Sequence, residues 1–381
     1  MHQKKNLQKT IFLVTSYAQS VISFRGSLIR LLIKCNFIVK VFAPDHNEAT
    51  TESLEALGAT TGYFPLSRVG LSPISDLNAL WSLWRIFVRS RPDIVLSYFA
   101  KPNIWGMLAA FFSQVPRRVA MVEGMGFAFT ADLHNRKTLK QILIGNVIKL
   151  LYRAAFFAAD RVIVLNPDDL SELKQDSGLS ASKSVLLGGI GVELDKWKFL
   201  APHLQPITFT MVARLLREKG VFEFLGAAQS VKTRHPNVRF ILVGGLDSNP
   251  GAISNVDLDP WRKMGFVEFP GHVDVKPWLQ QTSVFVLPSY REGVPLSTQE
   301  ALAIGRPVIT TDVPGCRETV VHGINGFLVP PRNAQRLAEA IELFIKDPSL
   351  IERMGCRSRL LAEERFDVNI ANATILAALG V

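Results

Sequence analysis

The chain has 381 residues, more than one compact core ordinarily uses, and this length fits two domains. Its composition, 48% hydrophobic and 20% charged, is that of a globular protein, and no low-complexity tract indicates disorder. Three scattered cysteines form no C-x-x-C pair and no disulfide framework, which favours a reducing compartment. The longest apolar stretches are far shorter than the roughly 20 residues that span a bilayer, so we expect no membrane-crossing helix.

The net charge of +10 lies almost entirely in the first half of the chain. Residues 1–200 contain 24 Lys and Arg against 15 Asp and Glu, whereas residues 201–381 contain 19 against 18. A basic half indicates an anionic partner, such as phospholipid head groups, a phosphorylated acceptor or nucleic acid, unless the cations only solvate helix faces. Because Trp81, Trp84 and the Phe-rich helices fit a packed core better than a base-stacking stripe, we expect no nucleic-acid partner.

From the N-terminus onwards, short segments rich in Val and Ile alternate with helical stretches, a pattern typical of α/β domains with parallel sheets. In the first half the predicted strands are KTIFLVTS, FIVKVFAP, DIVLSYFA, RRVAMVEG and DRVIVLNP, and the predicted helices cover 27–34, 74–90, 103–113 and 138–159. In the second half the predicted strands are PITFTMVA, VRFILVGG, SVFVLPS and RPVITTD, and the predicted helices cover 221–234, 296–304, 334–346 and 367–379.

Two such series in succession predict two Rossmann-like domains with an active site in the cleft between them. The segment 193–206 has two prolines and loses the periodicity, so we place the boundary there, with domains at 1–197 and 198–381. We expect the terminal helix 367–379 to pack back on the first domain. Ligands of open α/β sheets bind beyond the carboxyl ends of the strands, and we therefore look for chemistry in the loops that follow strands.

The loop after the first strand leads into the step Phe24-Arg25-Gly26. It lacks the G-x-G-x-x-G fingerprint and the acidic ribose ligand of nicotinamide-binding domains, which counts against a dehydrogenase. Arg25 and Gly26 are predicted to stand where the chain enters a helix close to a bound ligand. A simple turn between strand and helix explains them equally well.

A second loop, after the strand PITFTMVA, carries Arg214 and Lys219 just before a helix begins. Two cations at this place can hold a diphosphate and neutralise the charge that develops on a leaving group. Arg offers bidentate geometry, and Lys acts as a mobile point charge. The alternative is a solvated basic loop.

A third loop, in REGVPLSTQEALAIGRPVI, presents Glu292, and Glu300 follows within a short helix. Carboxylates at such places can accept hydrogen bonds from paired hydroxyls of a sugar or ribose, although glutamates near a helix start are also common for dipole reasons alone. The backbone expected to meet phosphate oxygens is Gly293, Val294, Pro295 and Leu296.

In order and spacing, these features and the later stretch VPGCRETVVHGINGFLVPP resemble the donor half of the retaining glycosyltransferase family 4. The resemblance implies the GT-B fold of two Rossmann-like domains, and a nucleotide diphosphate sugar, UDP-linked, as donor with no further cofactor. It implies that Arg214 and Lys219 bind the donor diphosphate in the second domain. It also implies that Glu300 holds the ribose and that Glu292 lies against the donor sugar. The loop from Gly271 to Val273 resembles the one that cradles the nucleotide base.

The first half resembles a narrower branch that lengthens lipid-linked bacterial surface saccharides, through SFRGSLIRLL, YFAKPNIWG, VEGMGFAFT, DRVIVLNPDD and GGIGVEL. The implied acceptor is a saccharide, polyprenyl-diphosphate-linked or free, held by the first domain. Many relatives have a His before the Gly where this chain has Glu123, so the role of that His is not carried over. Glu123 is expected either to orient the acceptor or to cap a turn. Lys101, in the loop after DIVLSYFA, is placed to meet the acceptor diphosphate.

We predict no metal site. Asp257 and Asp259 form the D-x-D pattern of metal-dependent glycosyltransferases, in what reads as a polar loop. A three-residue match is frequent by chance, and Arg214 with Lys219 already supplies positive charge. The seven histidines show no zinc-binding spacing, and no G-x-S-x-G indicates a hydrolase.

Three functions remain: sugar transfer, nucleotide-sugar epimerisation on a similar fold, and a non-catalytic role at a membrane surface. Sugar transfer alone uses the two cations, the two glutamates and the basic half together, and it is the function we predict. The expected location is cytoplasmic, peripheral on the inner face of a bacterial plasma membrane, because one amphipathic helix has cations at its border. These cations are Arg136, Lys137, Lys140, Lys149 and Arg153. The alternative is that this helix only packs on the core.

Overall fold

The computed structural model describes residues 8–67, 72–125, 139–247, 249 and 251–381, without the side chains of 139–142. Residues up to Leu187, together with Asn372–Val381, form one compact unit, and Gly188–Ala371 form a second. The sequence predicted the domain boundary between residues 197 and 198. In the structure this part of the first unit ends earlier, at Leu187. The reason is that Val192 already bonds within the second unit, where its N–H donates to the carbonyl of Phe366 at 2.8 Å.

The described part of the first unit forms a sheet of seven parallel strands, in the order β3-β2-β1-β4-β5-β6-β7. The strands are β1 (Thr10–Val14), β2 (Ile38–Ala43), β3 (Thr60–Tyr63), β4 (Ile94–Tyr98), β5 (Arg117–Val122), β6 (Arg161–Val164) and β7 (Ser184–Leu186). The central strands β1 and β4 are buried on both faces, which explains their continuous apolar runs. In β1, Ile11 faces one side of the sheet and Phe12 the other.

Helices cover both faces of this sheet. They are α1 (Ala18–Lys34), α2 (Glu48–Ala56), α3 (Pro73–Ser90), α4 (Ala100–Phe112), α5 (Leu139–Ala158) and α6 (Pro167–Ser177). Helices α3, α4 and α5 pack on the Phe12 side, and α1 packs on the Ile11 side together with Ile375 and Leu379 from the end of the chain. Nε of Arg117 donates to the carbonyl of Ala378 at 3.0 Å, so the last turn is fastened to this unit.

The described residues of the second unit form a six-stranded parallel sheet in the order β10-β9-β8-β11-β12-β13. The strands are β8 (Thr208–Val212), β9 (Arg239–Val243), β10 (Glu268–Gly271), β11 (Val284–Leu287), β12 (Val308–Thr311) and β13 (Gly326–Val329). The helices are α7 (Val221–Arg234), α8 (Asn255–Met264), α9 (Lys276–Gln280), α10 (Leu296–Ala303), α11 (Ala334–Lys346) and α12 (Ser349–Arg365). Helix α13 (Val368–Leu379) begins in this unit, and its residues from Asn372 onwards belong to the first unit. Within the described ranges, no helix has the length and apolar character needed to span a membrane.

Two helices begin earlier than the sequence predicted. Helix α1 starts at Ala18 rather than at residue 27, because burial of Val21 and Arg25 outweighs the weak helix propensity of the Ser- and Gly-containing stretch. Helix α4 starts at Ala100 rather than at 103, since Pro102 falls in the first turn, where proline is tolerated. Arg25 and Lys101 therefore lie within helices and not in the loops where the sequence placed them.

Two tryptophans of α3 lie on the surface, and the prediction that they belong to a packed core is wrong. Trp81 is 56% exposed and Trp84 is 38% exposed. The buried face of α3 is formed by Ala79, Leu83 and Phe87, which repeat every four residues on the opposite side of the helix.

Candidate active site

The strand order of the second sheet reverses between β8 and β11. Strands β9 and β10 lie on one side of β8, and β11, β12 and β13 lie on the other. Such a reversal leaves a crevice beyond the carboxyl ends of the two strands, and ligands of open α/β sheets bind there. The loop after β8 carries Lys219 to this edge, and the loop after β11 carries Glu292.

Lys219 and Glu292 form a close and shielded ion pair. The Lys219 ammonium donates to both carboxylate oxygens of Glu292, at 2.6 and 2.7 Å, and the two side chains are only 16% and 11% exposed. The hydroxyl of Ser289 donates to the same carboxylate at 2.8 Å. A cation and a carboxylate held side by side can receive a group that is anionic at one end and hydroxylated at the other, as a sugar phosphate is.

Two glycines allow the loops around this pair to approach one another. Gly220 ends the turn that contains Lys219 and has a φ of 74°, and an added Cβ would lie 2.1 Å from the carbonyl oxygen of Pro288. Gly315 has a φ of 77°, and its Cβ would lie 2.2 Å from the carbonyl oxygen of Glu292. Any other residue at either place would meet both a disfavoured backbone conformation and a clash with backbone.

Arg214 lies just after β8, but its guanidinium does not join the Lys219–Glu292 pair and instead binds a different carboxylate. Nη1 donates to the carboxylate of Asp247 at 2.8 Å, and the Arg214 side chain is 53% exposed. The partner, Asp247, lies in the segment after β9 and also accepts from the amide of Asn249 at 3.0 Å. An exposed pair of this kind contributes little to stability, so a ligand phosphate can replace Asp247 as the partner.

Glu300 lies in α10, eight residues after Glu292, and its side chain is partly buried. Burial, together with the negative charge of Asp274, raises the pKa of its carboxyl to about 8. In the described part of the chain, no side chain or amide donates a hydrogen bond to its carboxylate. A partly buried carboxylate without donors is unfavourable, and hydroxyl groups of a bound ligand would satisfy it.

The predicted phosphate-binding backbone lies at the start of α10. Pro295 is the residue before the helix, Gly293, Val294 and Pro295 are buried, and Leu296 is the first helical residue. Pro295, the residue before the helix, offers no capping side chain, and no other described side chain caps the first turn of α10. Its free N–H groups and the positive end of the helix dipole form a place where an anion is stabilised.

The predicted base-binding loop lies at the outer edge of the same sheet. Gly271 is the last residue of β10, with a φ of 83°, and an added Cβ there would meet only open space. Its carbonyl accepts from the amide of Gly244, at the end of β9, at 3.0 Å. Val273 is 39% exposed, so an apolar side chain is available to a flat ring at this position.

In the first unit the structure brings Arg25 and Glu123 together. Arg25 lies inside α1 and is 1% exposed, Glu123 follows β5 and is 10% exposed, and a guanidinium nitrogen of Arg25 pairs directly with the carboxylate. The same nitrogen lies 2.8 Å from the sulfur of Met121, and the guanidinium lies 5.4 Å from the ring centre of Tyr98. Burial lowers the pKa of Arg25 to about 10. Its charge is thus already compensated within the unit.

The other two predicted residues of the first unit differ in their surroundings. Gly26 lies within α1, and an added Cβ would meet its nearest atoms at 3.7 Å, which is ordinary contact. No close approach in the described structure therefore requires a glycine there. Lys101 lies in the first turn of α4, and its ammonium donates to the carboxylate of Asp76 at 2.8 Å.

The D-x-D residues lie in helix α8, and the prediction that they occupy a polar loop is wrong. Asp257 completes a capping box with Ser254, and its carboxylate also accepts from Arg217 at 3.0 Å. Asp259 pairs with Arg262 at 3.3 Å. Among the described residues, no group of three or more His, Cys, Asp or Glu could hold a metal ion.

Four residues of the site were not predicted from the sequence: Ser289, Asp247, Gly220 and Gly315. Each of them lies in a loop that follows a strand of the second sheet. The only available signal was position, because Gly220 follows Lys219 directly and Ser289 precedes Glu292 by three residues. Asp247 and Gly315 reach the site through the fold. Gly315 lies in the stretch VPGCRETVVHGINGFLVPP, but that stretch gave no indication of its contact with Glu292.

Comparison with known proteins identifies the family. The model for Glycosyltransferase Family 4 matches residues 26–189, and that for Glycosyl transferases group 1 matches residues 194–360. The N,N'-diacetylbacillosaminyl-diphospho-undecaprenol alpha-1,3-N-acetylgalactosaminyltransferase of Campylobacter jejuni is 32% identical over 346 residues, which cover 87% of this chain and 88% of that protein. The chain belongs to glycosyltransferase family 4. The resemblance expected from the sequence is confirmed, and the protein is a glycosyltransferase.

Further relatives and solved structures agree with this family. The capsular polysaccharide biosynthesis glycosyltransferase CapM of Staphylococcus aureus is 28% identical and covers 95% of this chain and 94% of its own. Sucrose-phosphate synthase from Thermosynechococcus elongatus superposes with a TM-score of 0.75 at 19% identity, over 97% of both chains. Anabaena HepE in complex with UDP gives 0.74 at 18% identity, over 98% and 99%. At these identities the structures show the fold, and the predicted pair of Rossmann-like domains of the GT-B type is confirmed.

Proposed function

We propose that this family 4 enzyme transfers a hexose or N-acetylhexosamine, with retention of configuration, from a UDP-linked donor to a saccharide on undecaprenyl diphosphate. The product would be an intermediate of a bacterial surface glycan. The C. jejuni relative is named for an undecaprenol-linked diphosphate substrate. An Escherichia coli relative, 28% identical over 76% of each chain, is named UDP-Gal:alpha-D-GlcNAc-diphosphoundecaprenol alpha-1,3-galactosyltransferase. These names support both the acceptor and the donor nucleotide.

The observation that carries the proposal is the Lys219–Glu292 pair beside the uncapped start of α10. In the proposed complex the Lys219 ammonium contacts the donor diphosphate, and Arg214 exchanges Asp247 for a phosphate oxygen. Glu292 accepts a hydrogen bond from a hydroxyl of the donor sugar. Glu300, to which no described residue donates a hydrogen bond, accepts from the ribose hydroxyls.

In the proposed transfer, the bond between C1 of the donor sugar and the UDP oxygen breaks, and a bond from C1 to the acceptor oxygen forms. Negative charge grows on the leaving diphosphate, where the two cations and the helix start stabilise it. The acceptor proton passes to the departing phosphate oxygen on the same face, and the configuration is retained. Both oxygens of Glu292 are engaged by Lys219, which disfavours this carboxylate as the nucleophile of a double displacement.

The proposed reaction needs no metal ion and no cofactor besides the nucleotide sugar. Lys219 and Arg214 supply the positive charge that a divalent cation supplies in D-x-D enzymes. Asp257 and Asp259 have cationic partners within the protein. We therefore expect full activity in EDTA.

The proposed place of action is the cytoplasmic face of the plasma membrane, where a lipid-linked acceptor and a nucleotide sugar meet. In α5, Leu143 and Leu150 are 65% and 64% exposed, which favours an interfacial helix over one that only packs on the core. Lys149 in the same helix pairs with Asp176 at 2.8 Å, and Arg153 is exposed. The remaining cations predicted for this helix, Arg136, Lys137 and the side chain of Lys140, lie outside the described residues.

A single assay tests the proposal. The purified chain is incubated with a panel of UDP-sugars, with and without an undecaprenyl-diphosphate-linked saccharide, in EDTA. We expect UDP release only when the acceptor is present, and an α-linked product from an α-linked donor. An epimerised nucleotide sugar without UDP release would contradict the proposed transfer. Activity that appears only after Mn²⁺ is added would assign Asp257 and Asp259 to a metal site.

A further inference from the structure

Helix α3 carries an apolar stripe on its solvent face. Five large side chains form it: Ile74, Leu77, Trp81, Trp84 and Val88, exposed by 78, 58, 56, 38 and 45%. Their spacings of three and four residues keep them on one side of the helix over its whole length. The opposite side is occupied by the buried core residues, so the stripe has no partner within the described part of the unit.

An aromatic cluster from the next two helices continues the stripe. Phe112, at the end of α4, and Phe157, at the end of α5, are 61% and 74% exposed. The ring of Phe111 lies 5.7 Å from that of Phe112 and 6.0 Å from that of Phe157. The hydroxyl of Ser113 donates to the carbonyl of Trp84 at 3.3 Å, which joins the cluster to α3. We call the stripe and these three phenylalanines the aromatic face.

Cations lie over the rings of the aromatic face. The guanidinium of Arg85 lies 4.6 Å from the ring centre of Trp81. That of Arg118 lies 5.3 Å from Phe111, and its charge is balanced by Asp160 at 2.6 Å. Across all of α3, α4 and α5 the sequence contains a single acid, Asp76, which is buried and paired with Lys101. The face is therefore both apolar and cationic.

We propose that the aromatic face docks the enzyme on an anionic lipid bilayer, an inference that rests on the proposed lipid-linked acceptor. Tryptophan and arginine together are typical of the membrane–water interface, where the ring enters the head-group region and the cation remains with lipid phosphates. The pair Asp76–Lys101 places the first turns of α3 and α4 next to each other at the edge where β4 ends. Docking by this face brings the predicted acceptor residue Lys101 close to the lipid head groups.

A second copy of the chain fits this face less well. In a two-fold interface the same patch contacts itself, so Arg85 and the exposed Arg89 would be buried against a surface whose carboxylates, among the described residues, are already paired: Asp76 with Lys101 and Asp160 with Arg118. Buried cations without partners are strongly disfavoured. A bilayer that contains anionic lipid supplies the missing negative charge.

The test is flotation of the full chain with phosphatidylcholine vesicles, with and without phosphatidylglycerol. The test variant is Trp81→Gln/Trp84→Gln, and the matched control is Val256→Gln/Leu343→Gln, which replaces exposed apolar residues of the second unit. We expect wild type and control to float with the anionic vesicles, and the test variant to bind at least about tenfold more weakly. Arg85→Glu should weaken binding by about fivefold or more and only where phosphatidylglycerol is present.

Sugar transfer to a water-soluble acceptor analogue separates docking from catalysis. The test variant should retain the wild-type rate with this analogue and lose rate only with the vesicle-borne acceptor. If wild type transfers sugar to no acceptor, the proposed function is refuted. The flotation experiment does not depend on sugar transfer, so it would still test docking in that case. Docking is refuted if wild type ignores anionic vesicles or if the tryptophan variant floats as well as wild type. A wild-type dimer that becomes a monomer in the tryptophan variant would make the face an interface between copies instead.

Discussion

Lys219 and Glu300 act at different moments of the proposed reaction, so their replacement should change different kinetic constants. Lys219→Ala and Arg214→Ala remove charge that is needed most as the diphosphate leaves, and each should lower kcat by about 100-fold or more. Glu300→Ala removes a ribose contact that is equally present before and during the reaction, and it should raise the donor KM. Steady-state kinetics measure both, with the exposed Arg217→Ala as control. Wild-type turnover in Lys219→Ala would contradict the assignment.

The pKa of about 8 for Glu300 predicts a pH dependence of stability. Between the ordinary pKa of 4.5 and about 8, the folded protein holds a proton that the unfolded chain has lost. Stability should therefore fall as the pH rises through this window and level off above it. Thermal unfolding from pH 5 to 9 should show this fall in wild type and not in Glu300→Gln. Since the ionised carboxylate accepts the ribose hydroxyls, the donor KM of wild type should decrease over the same range.

The buried pair Arg25–Glu123 predicts a structural role for an arginine that the sequence placed at a ligand. Arg25→Met leaves Glu123 without its partner, and the expected loss of stability is about 3–5 kcal/mol. Arg25→Met with Glu123→Leu removes both charges and should recover part of that loss. Urea unfolding of the two single variants and the double variant measures the coupling. Unchanged stability with a raised donor KM in Arg25→Met would instead support contact with the donor.

At the scale of elements, the loops after β8 and β11 hold the site, and Gly220 determines how closely they approach. Gly220→Ala combines a positive φ with a Cβ 2.1 Å from the carbonyl of Pro288, so the loop must move and Lys219 with it. Gly265→Ala is a matched control, because its φ is 69° and nothing lies within 4 Å of its Cβ. We expect the control to cost about 1 kcal/mol of stability and Gly220→Ala clearly more, with a loss of kcat. Equal effects of the two substitutions would contradict this view of the loops.

The elements predicted from the sequence are those in which buried residues form a recognisable local pattern of apolar side chains. The central strands are apolar on both faces and were recognised, whereas β3, β7, β10 and β13 were not. All four are edge strands of only three or four residues, and most of their residues are not fully buried. Helix α8 was missed because it contains Pro260 and three acidic or amide residues, although the capping residue Ser254 was a usable signal.

For the candidate site, the sequence predicted which residue types follow which strands but not their partners. The Lys219–Glu292 pair joins residues 73 positions apart, and Arg25–Glu123 joins residues 98 apart. Such contacts depend on strand order, which a local pattern does not contain. The prediction for Trp81 is wrong for a related reason. Which side of α3 faces the core depends on the elements that pack against the helix, and these are not visible in its own sequence.

At the scale of the whole molecule, the positive charge of the first half and the aromatic face should act together on a membrane. The charge acts over the Debye length, which shrinks from about 10 Å at 0.1 M salt to about 3 Å at 1 M, whereas the apolar contribution persists at high salt. Flotation with anionic vesicles should therefore weaken steeply with added NaCl but not vanish in wild type. The variant Lys137→Glu/Lys140→Glu/Lys149→Glu should bind vesicles weakly at every salt concentration, and its binding should depend less on salt than that of wild type. The variant Trp81→Gln/Trp84→Gln should lose the vesicle binding that wild type retains in about 1 M salt. Binding by wild type that is indifferent to salt would show that the excess of cations in residues 1–200 serves another partner, such as a soluble phosphorylated acceptor.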